Sequence, residues 1–263
     1  LRYYAASLYF GSFRPCNPES SRRVRMSIVG RVREIWRYPV KSMGGERLNR
    51  CDIELSGIYG DRRWALRDDQ TGGVRGGKTL PELMQCNARY LDGPLVDEIP
   101  HVEISLPDGT TLRSEDKGTP ERLSEFFGHR VSLCMVHAAT HVDVSSLSLL
   151  TTASIAMLSG LNPESRLDVR RFRPNFYVET LKENEGFVEF QWSGKVLEIG
   201  AVRITCESPA PRCGMTTYKQ PGLPEDPSIL QTIVRQANKN VGIYANPTSS
   251  GSVSVDDVVQ LID

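Results

Sequence analysis

The chain is punctuated far more often than it is periodic. Short runs rich in Val, Ile, Tyr, Phe and Trp alternate with Gly, Pro, Asn and Asp, notably at Pro107-Asp108-Gly109 and Ser193-Gly194. Such runs between breakers read as strands. Strands are expected at Ser27–Trp36, Arg47–Glu54, Arg63–Arg67, Val102–Leu106, Val131–His137, Asn175–Thr180, Lys195–Ile199, Val202–Cys206, Val241–Ala245, Ser252–Val255 and Val258–Ile262. Three helices interrupt them. The first has Thr119 as cap, Pro120 at its first position and Gly128 as stop; the second starts from Thr151 or Thr152 and ends at Gly160. The third has Asp226 as cap and an apolar face of Ile229, Leu230, Ile233, Val234 and Ala237 at helical spacing. Many strands with few helices predict a mainly β, barrel-type fold rather than alternating βαβ units.

A chain of 263 residues can bury one large core or two modest ones. Its formal net charge is zero, so a general nucleic-acid footprint is missing, although a local basic pocket is compatible with that balance. No apolar run approaches membrane-spanning length. The six cysteines are scattered and no pair is spaced C-x-x-C, which removes zinc-ribbon, thioredoxin-type and cysteine-dense iron–sulfur signatures. Scattered cysteines fit a reducing compartment, and the cytoplasm is the expected one. The first 25 residues carry Arg2, Arg14, Arg22, Arg23 and Arg25 against a single acid, Glu19. They read as a transit peptide, which would make the compartment organellar, or as sequence outside the native start at Met26. The folded part is expected to divide into a first domain over 26–140 and a second over 141–263.

Cys213 is the residue most suggestive of chemistry. It lies in Ser208-Pro-Ala-Pro-Arg-Cys213-Gly-Met-Thr-Thr217, a turn bracketed by Pro209, Pro211 and Gly214. Prolines and glycine break regular structure, so the thiol would be aimed rather than buried. Arg212 beside it would favour the thiolate, the metal-binding form. A buried structural thiol is the plainer alternative. Gly72-Gly73-Val74-Arg75-Gly76-Gly77-Lys78-Thr79 matches the phosphate-loop pattern literally, but the polar Arg67–Gln70 segment precedes it and Pro81 follows it. A nucleotide loop needs a buried strand before it and a helix after it. A glycine-rich hairpin turn, with Lys78 still able to meet an anion, is the better reading. Cys134, His137 and His141 have zinc-like spacing without a fourth ligand nearby. Lys41-Ser42 before Gly44-Gly45 can cradle a phosphate, and Arg173 with Asn175 can grip an anion, yet each could equally be an ordinary polar turn.

Taken in order, Tyr38-Pro39-Val40-Lys41-Ser42, Gly60-Asp61-Arg62-Arg63-Trp64, Phe172-Arg173-Pro174-Asn175 and Pro211-Arg212-Cys213-Gly-Met-Thr-Thr217 resemble MOSC-domain proteins. The branch most similar is the one containing the mitochondrial amidoxime-reducing component and its bacterial relatives. That resemblance implies an N-terminal β-barrel domain packed on a β-rich MOSC domain, with a molybdenum cofactor between them. It implies Cys213 as the protein ligand to the metal, next to Arg212. It places Lys41, Ser42 and Arg62 at the cofactor's phosphate, Arg173 and Asn175 at its pterin, Asp143 and Ser145 in a polar loop of the site, and Lys78 at a further basic position. It also implies reduction of small N-hydroxylated substrates (hydroxylamines, N-hydroxylated bases, amidoximes), with Asp143 as a candidate proton donor. Electrons would come from a separate flavin or iron–sulfur protein. A cofactor or sulfur carrier with Cys213 as acceptor is the alternative. The chain departs from the branch at Pro211, at Tyr218–Gly222, and at Asp256, where relatives carry glycine.

Overall fold

Seven strands close on themselves. Their ring order is Phe176–Thr180, Leu147–Thr151, Asn240–Pro247, Val202–Pro211, Val196–Ile199, Val258–Ile262 and Met26–Arg37, which returns to Phe176–Thr180. Closure removes the free edges of a sheet. The computed structural model describes residues 25–91, 100–136, 145–181 and 185–262. Mainly β structure with a closed barrel agrees with the sequence expectation. The first strand, Met26–Arg37, belongs to the same ring as strands of the C-terminal half, and Arg50–Glu54 pairs with Gly251–Ser254, so N-terminal strands cross the expected boundary near residue 140.

All ring neighbours are antiparallel except Leu147–Thr151 with Phe176–Thr180, which are parallel. Parallel neighbours need a crossover, and helix Thr152–Leu161 provides it. Thr151 caps that helix by accepting from the Ser154 N–H at 3.2 Å. The wall around this pair is buried on both sides. Leu149, Phe176 and Val178 face the barrel core. Leu150 and Tyr177 face an outer core with Leu158 and with Ile229 and Ile233 of helix Pro227–Ala237. A strand buried on both faces has no alternation to read, which is why Leu147–Thr151 is absent from the expected strands. On the last helix the buried stripe is narrower than its apolar pattern, because Val234 is exposed.

The N-terminal half builds a second core around Met43, Leu66, Leu83, Ile104 and Leu123. It is covered by two small sheets. One joins Val131–Met135, Trp64–Asp68 and Val74–Arg75; the other joins Asn87–Tyr90, Val102–Ser105 and Thr111–Arg113. Helix Thr119–Phe127 ends at Gly128 in the left-handed region, as expected, but Thr119 is not its cap. The Thr119 hydroxyl donates to the Arg113 carbonyl at 2.6 Å instead.

Two further departures have local causes. The strand expected to stop at Cys206 continues to Pro211, with pairing shifts at Pro209 and again at Pro211. Proline cannot donate to a ladder and is tolerated at such bulges. Asp256 has φ 71, a conformation that favours glycine and that Asp tolerates better than most residues. Among the described residues no helix is long and apolar enough to cross a membrane.

Candidate functional site

A cavity of about 360 Å³ opens where the N-terminal half meets the barrel wall. Lys41, Ser42, Arg62 and Lys78 come to it from the first half, and Ser145, Arg173, Asn175, Arg212 and Cys213 from the second. The structure therefore gathers every described residue that the resemblance places at the site, while Cys134 is not on the cavity lining. Asp143 lies outside the described residues, as do His137 and His141. Sequence reading missed several neighbours on the lining: Ser148, Arg171, Met215, Thr216, Lys239 and Tyr244.

The cavity is cationic. Seven Lys and Arg residues line it and, among the described residues, no Asp or Glu does. In a chain of zero formal net charge this is a local concentration of one sign. Such a cavity focuses a positive potential that attracts anions. Four of its residues hold left-handed backbone without being glycine: Ser42 at φ 65, Arg62 at 53, Arg173 at 51 and Lys239 at 67. Backbone of this kind costs roughly 1–3 kcal/mol per residue and collects at functional sites.

Each cation is held differently. Arg212 is buried; its Nε donates to the Val241 carbonyl at 2.7 Å and one Nη to the Phe172 carbonyl at 2.8 Å. Its other Nη is buried without a partner, and burial pulls its pKa down. Arg173 donates to the Met43 carbonyl and likewise keeps one buried Nη unpartnered. Burial first, then the neighbouring Arg62, push Arg173 down to about 10. A buried donor without a partner costs free energy, and two of them on one cavity wall suit a ligand rich in acceptors. Arg171 is different: each of its three nitrogens donates to a carbonyl, of Arg166, Thr216, Tyr218 or Pro224, so it braces the loop after Cys213.

Asn175 is a bolt. Its Oδ1 accepts from the Ser148 N–H at 3.1 Å; its Nδ2 donates to the Trp36 carbonyl at 3.3 Å and to Asp61 Oδ2 at 3.2 Å. Its amide thus joins the barrel wall to the first half. Ser42 accepts from the Gly77 N–H at 2.9 Å and keeps its own proton to donate. That bond seats the glycine-rich segment against the cavity. Gly77 packs against the flexible end of Met215, whose Cε would lie 2.8 Å from a Cβ at that position. The segment is a turn followed by a short 3-10 helix, Pro81–Gln85, so the strand–loop–α-helix arrangement of a nucleotide loop is not formed.

Cys213 stands half-buried at the start of the 3-10 turn Gly214–Thr216, two residues beyond the end of strand Val202–Pro211. Its carbonyl accepts from the Thr216 N–H at 3.1 Å and hydroxyl at 3.0 Å, which fixes the turn and presents the thiol at the cavity. Three of the other described thiols behave as core atoms. Cys51, Cys86 and Cys206 are buried, and burial pushes each up to about 12. Cys134 is raised for the same reason. Among the described residues no group of His, Cys, Asp and Glu could hold a metal by itself.

Two family models cover nearly all of this architecture: the MOSC N-terminal beta barrel domain over residues 29–139 and the MOSC domain over residues 137–260. The chain is a MOSC-domain protein. Mitochondrial amidoxime reducing component 2 of Bos taurus is 25% identical, over 90% of this chain and 85% of the relative. The protein of the same name from Macaca fascicularis is 23% identical over the same shares. The YUAD protein from Bacillus subtilis has a similar fold, with a TM-score of 0.51 over 91% of this chain and 98% of its own at 12% identity. The cavity of this MOSC protein lies between segments matched by the two family models.

Proposed function

We propose that this protein is a molybdenum-cofactor-dependent reductase of N-hydroxylated compounds. The observation that carries the reading is the pairing of one presented thiol, Cys213, with a cavity of seven cations, no described carboxylate and two unpartnered guanidinium nitrogens. The residues suit molybdopterin. Its phosphate wants cations and a hydroxyl, which Lys41, Arg62, Lys78 and Ser42 offer. Its soft metal wants a thiolate, which only Cys213 offers among the described lining residues.

When bound, the cofactor supplies the two-electron chemistry that removes oxygen from an N–O bond. The protein's part is binding and orientation. Arg212 anchors the loop before Cys213 from within the core, while Arg171 anchors the loop after it. The thiol is thereby fixed from both sides. Hydroxyl groups of Ser145, Thr216 and Tyr244 line the cavity and can orient a small polar substrate. Asp143 remains the candidate proton donor; Asp143→Asn should lower turnover without lowering bound metal. Electrons are proposed to come from a separate flavin or iron–sulfur protein.

Metal analysis of protein from a cofactor-competent host, wild type beside Cys213→Ser, tests the reading. Near-stoichiometric molybdenum in the wild type, with reduction of N-hydroxylated substrates lost in the variant, is the expected outcome. Cyanide-releasable sulfur with no molybdenum would overturn it in favour of a sulfur carrier.

A further inference from the structure

Arg62 and Arg173 are like charges brought together at one wall of the cavity, and only Arg62 is paired with an acid. Both guanidinium groups lie over the ring of Tyr38, a residue that does not line the cavity and is 1% exposed. The Arg173 Cζ is 4.2 Å from the ring centroid and the Arg62 Cζ 5.1 Å. Arg62 also pairs with Asp61. Among the described residues Arg173 has only the Met43 carbonyl and the ring as partners, and one of its Nη groups has no acceptor. The ring is itself fixed. Its hydroxyl donates to the Pro174 carbonyl at 3.1 Å, and the Tyr38 N–H donates to Asp61 Oδ1 at 2.7 Å.

The chemistry distinguishes this seat from an ion pair. A carboxylate would take up two in-plane N–H groups of a guanidinium and cancel its charge. An aromatic face attracts the cation through its quadrupole and leaves the in-plane donors open. Of Arg173's partners, the ring is the one that holds the cation without consuming a donor.

We propose that Tyr38 is a positioning residue for anion binding: its ring seats Arg173 by cation–π attraction beside the Asp61-paired Arg62, keeping the charge and open donor of Arg173 available to a phosphate group in the cavity. This rests on the anion-binding part of the function proposed above and is independent of molybdenum and of the reduction.

The experiment uses apoprotein titrated calorimetrically with inorganic phosphate at low ionic strength. Wild type is compared with Tyr38→Phe, Tyr38→Leu and a protein carrying 3,4,5-trifluorophenylalanine at position 38. Phenylalanine keeps the ring and loses the hydroxyl, so its phosphate affinity should stay within about twofold of wild type. Leucine and the electron-poor ring should weaken phosphate by roughly fivefold, the size of one such contact. Thermal melts check folding. If the leucine variant fails to fold, the fluorinated ring, which keeps the shape of phenylalanine, decides the outcome. Equal affinity for the phenylalanine and fluorinated proteins overturns the proposal. So does wild-type apoprotein that does not bind phosphate, which would also remove the anionic reading of the cavity. Ring-dependent phosphate binding by the apoprotein, together with no molybdenum in protein from a cofactor-competent host, would sink the reductase and leave this inference standing.

Discussion

Replacing Asn175 by leucine separates a structural bolt from a ligand contact. The side chain is 1% exposed, and leucine has nearly its shape without its polarity. Two buried backbone groups lose their partner, the Ser148 N–H and the Trp36 carbonyl, and Asp61 Oδ2 loses a donor in a partly buried setting. Each buried group left without a partner costs about 1–3 kcal/mol. The two together cost about 2–6 kcal/mol, and the added apolar burial offsets about 1–2 kcal/mol. A net loss of about 3 kcal/mol is expected, or about 6–12 °C in melting temperature for a chain of this size. Urea unfolding followed by fluorescence of Trp36, Trp64 and Trp192 measures it, with an unchanged m-value showing that the same surface unfolds. Asn175→Asp is the companion. It sets a carboxylate where the amide now stands 3.2 Å from Asp61 Oδ2, so it should be destabilised at neutral pH and recover part of the loss as pH falls into the carboxylate range. If Asn175→Leu unfolds within about 1 kcal/mol of wild type, below the cost of one such buried orphan, the bolt is refuted. Asn175 would then act only on a ligand.

Three other perturbations follow from the same geometry. Glu189 is buried, accepts from Thr151, Ser154 and the Gly242 N–H, and has its pKa raised by burial, so its protonated form favours folding. The wild type should therefore lose stability relative to Glu189→Gln as pH rises from the ordinary value of 4.5, read as the difference in urea midpoints between acid and neutral pH. Among Cys51, Cys86, Cys206 and Cys213, a maleimide at pH 8 should label Cys213 first; peptide mass spectrometry showing early labelling of Cys206 would contradict the burial that pushes its thiol up to about 12. Gly242→Ala would place a Cβ 2.6 Å from the Leu149 carbonyl and 2.9 Å from an Arg212 Nη at φ +76. About 1–2 kcal/mol of backbone strain and about 1–3 kcal/mol of overpacking should appear as a loss of about 2–5 kcal/mol in urea unfolding.

Residues of the candidate site were legible because anion and soft-metal chemistry restrict the residue types that can do it. Lys41, Arg62, Arg173 and Cys213 stand in short segments with Gly or Pro close by, and such segments are visible without a fold. Lys239 and Tyr244 were not legible. Lys239 follows a helix end and Tyr244 lies mid-strand, so neither carries a local signal, and the cavity alone unites them with Cys213. Asn175 was legible as polar and near a turn, but its work as a bolt depends on Trp36 and Asp61, both more than 100 positions away.

The same division runs through the fold. Alternation in strands such as Met26–Arg37 and breakers between runs determined that the chain would be mainly β, because half-buried strands write their burial into period two. That a barrel would close through the first strand was decided by pairing between Gly30–Ile35 and Phe176–Thr180, contacts that no local window contains. Leu147–Thr151, buried throughout, could be assigned only once both of its faces had neighbours. Sequence alone determined which side chains could bind an anion and which thiol stood in a turn. Tertiary structure decided that they share one cavity, because cations this close repel and are brought together only by a packed frame, with Tyr38 between the halves, that outweighs the repulsion.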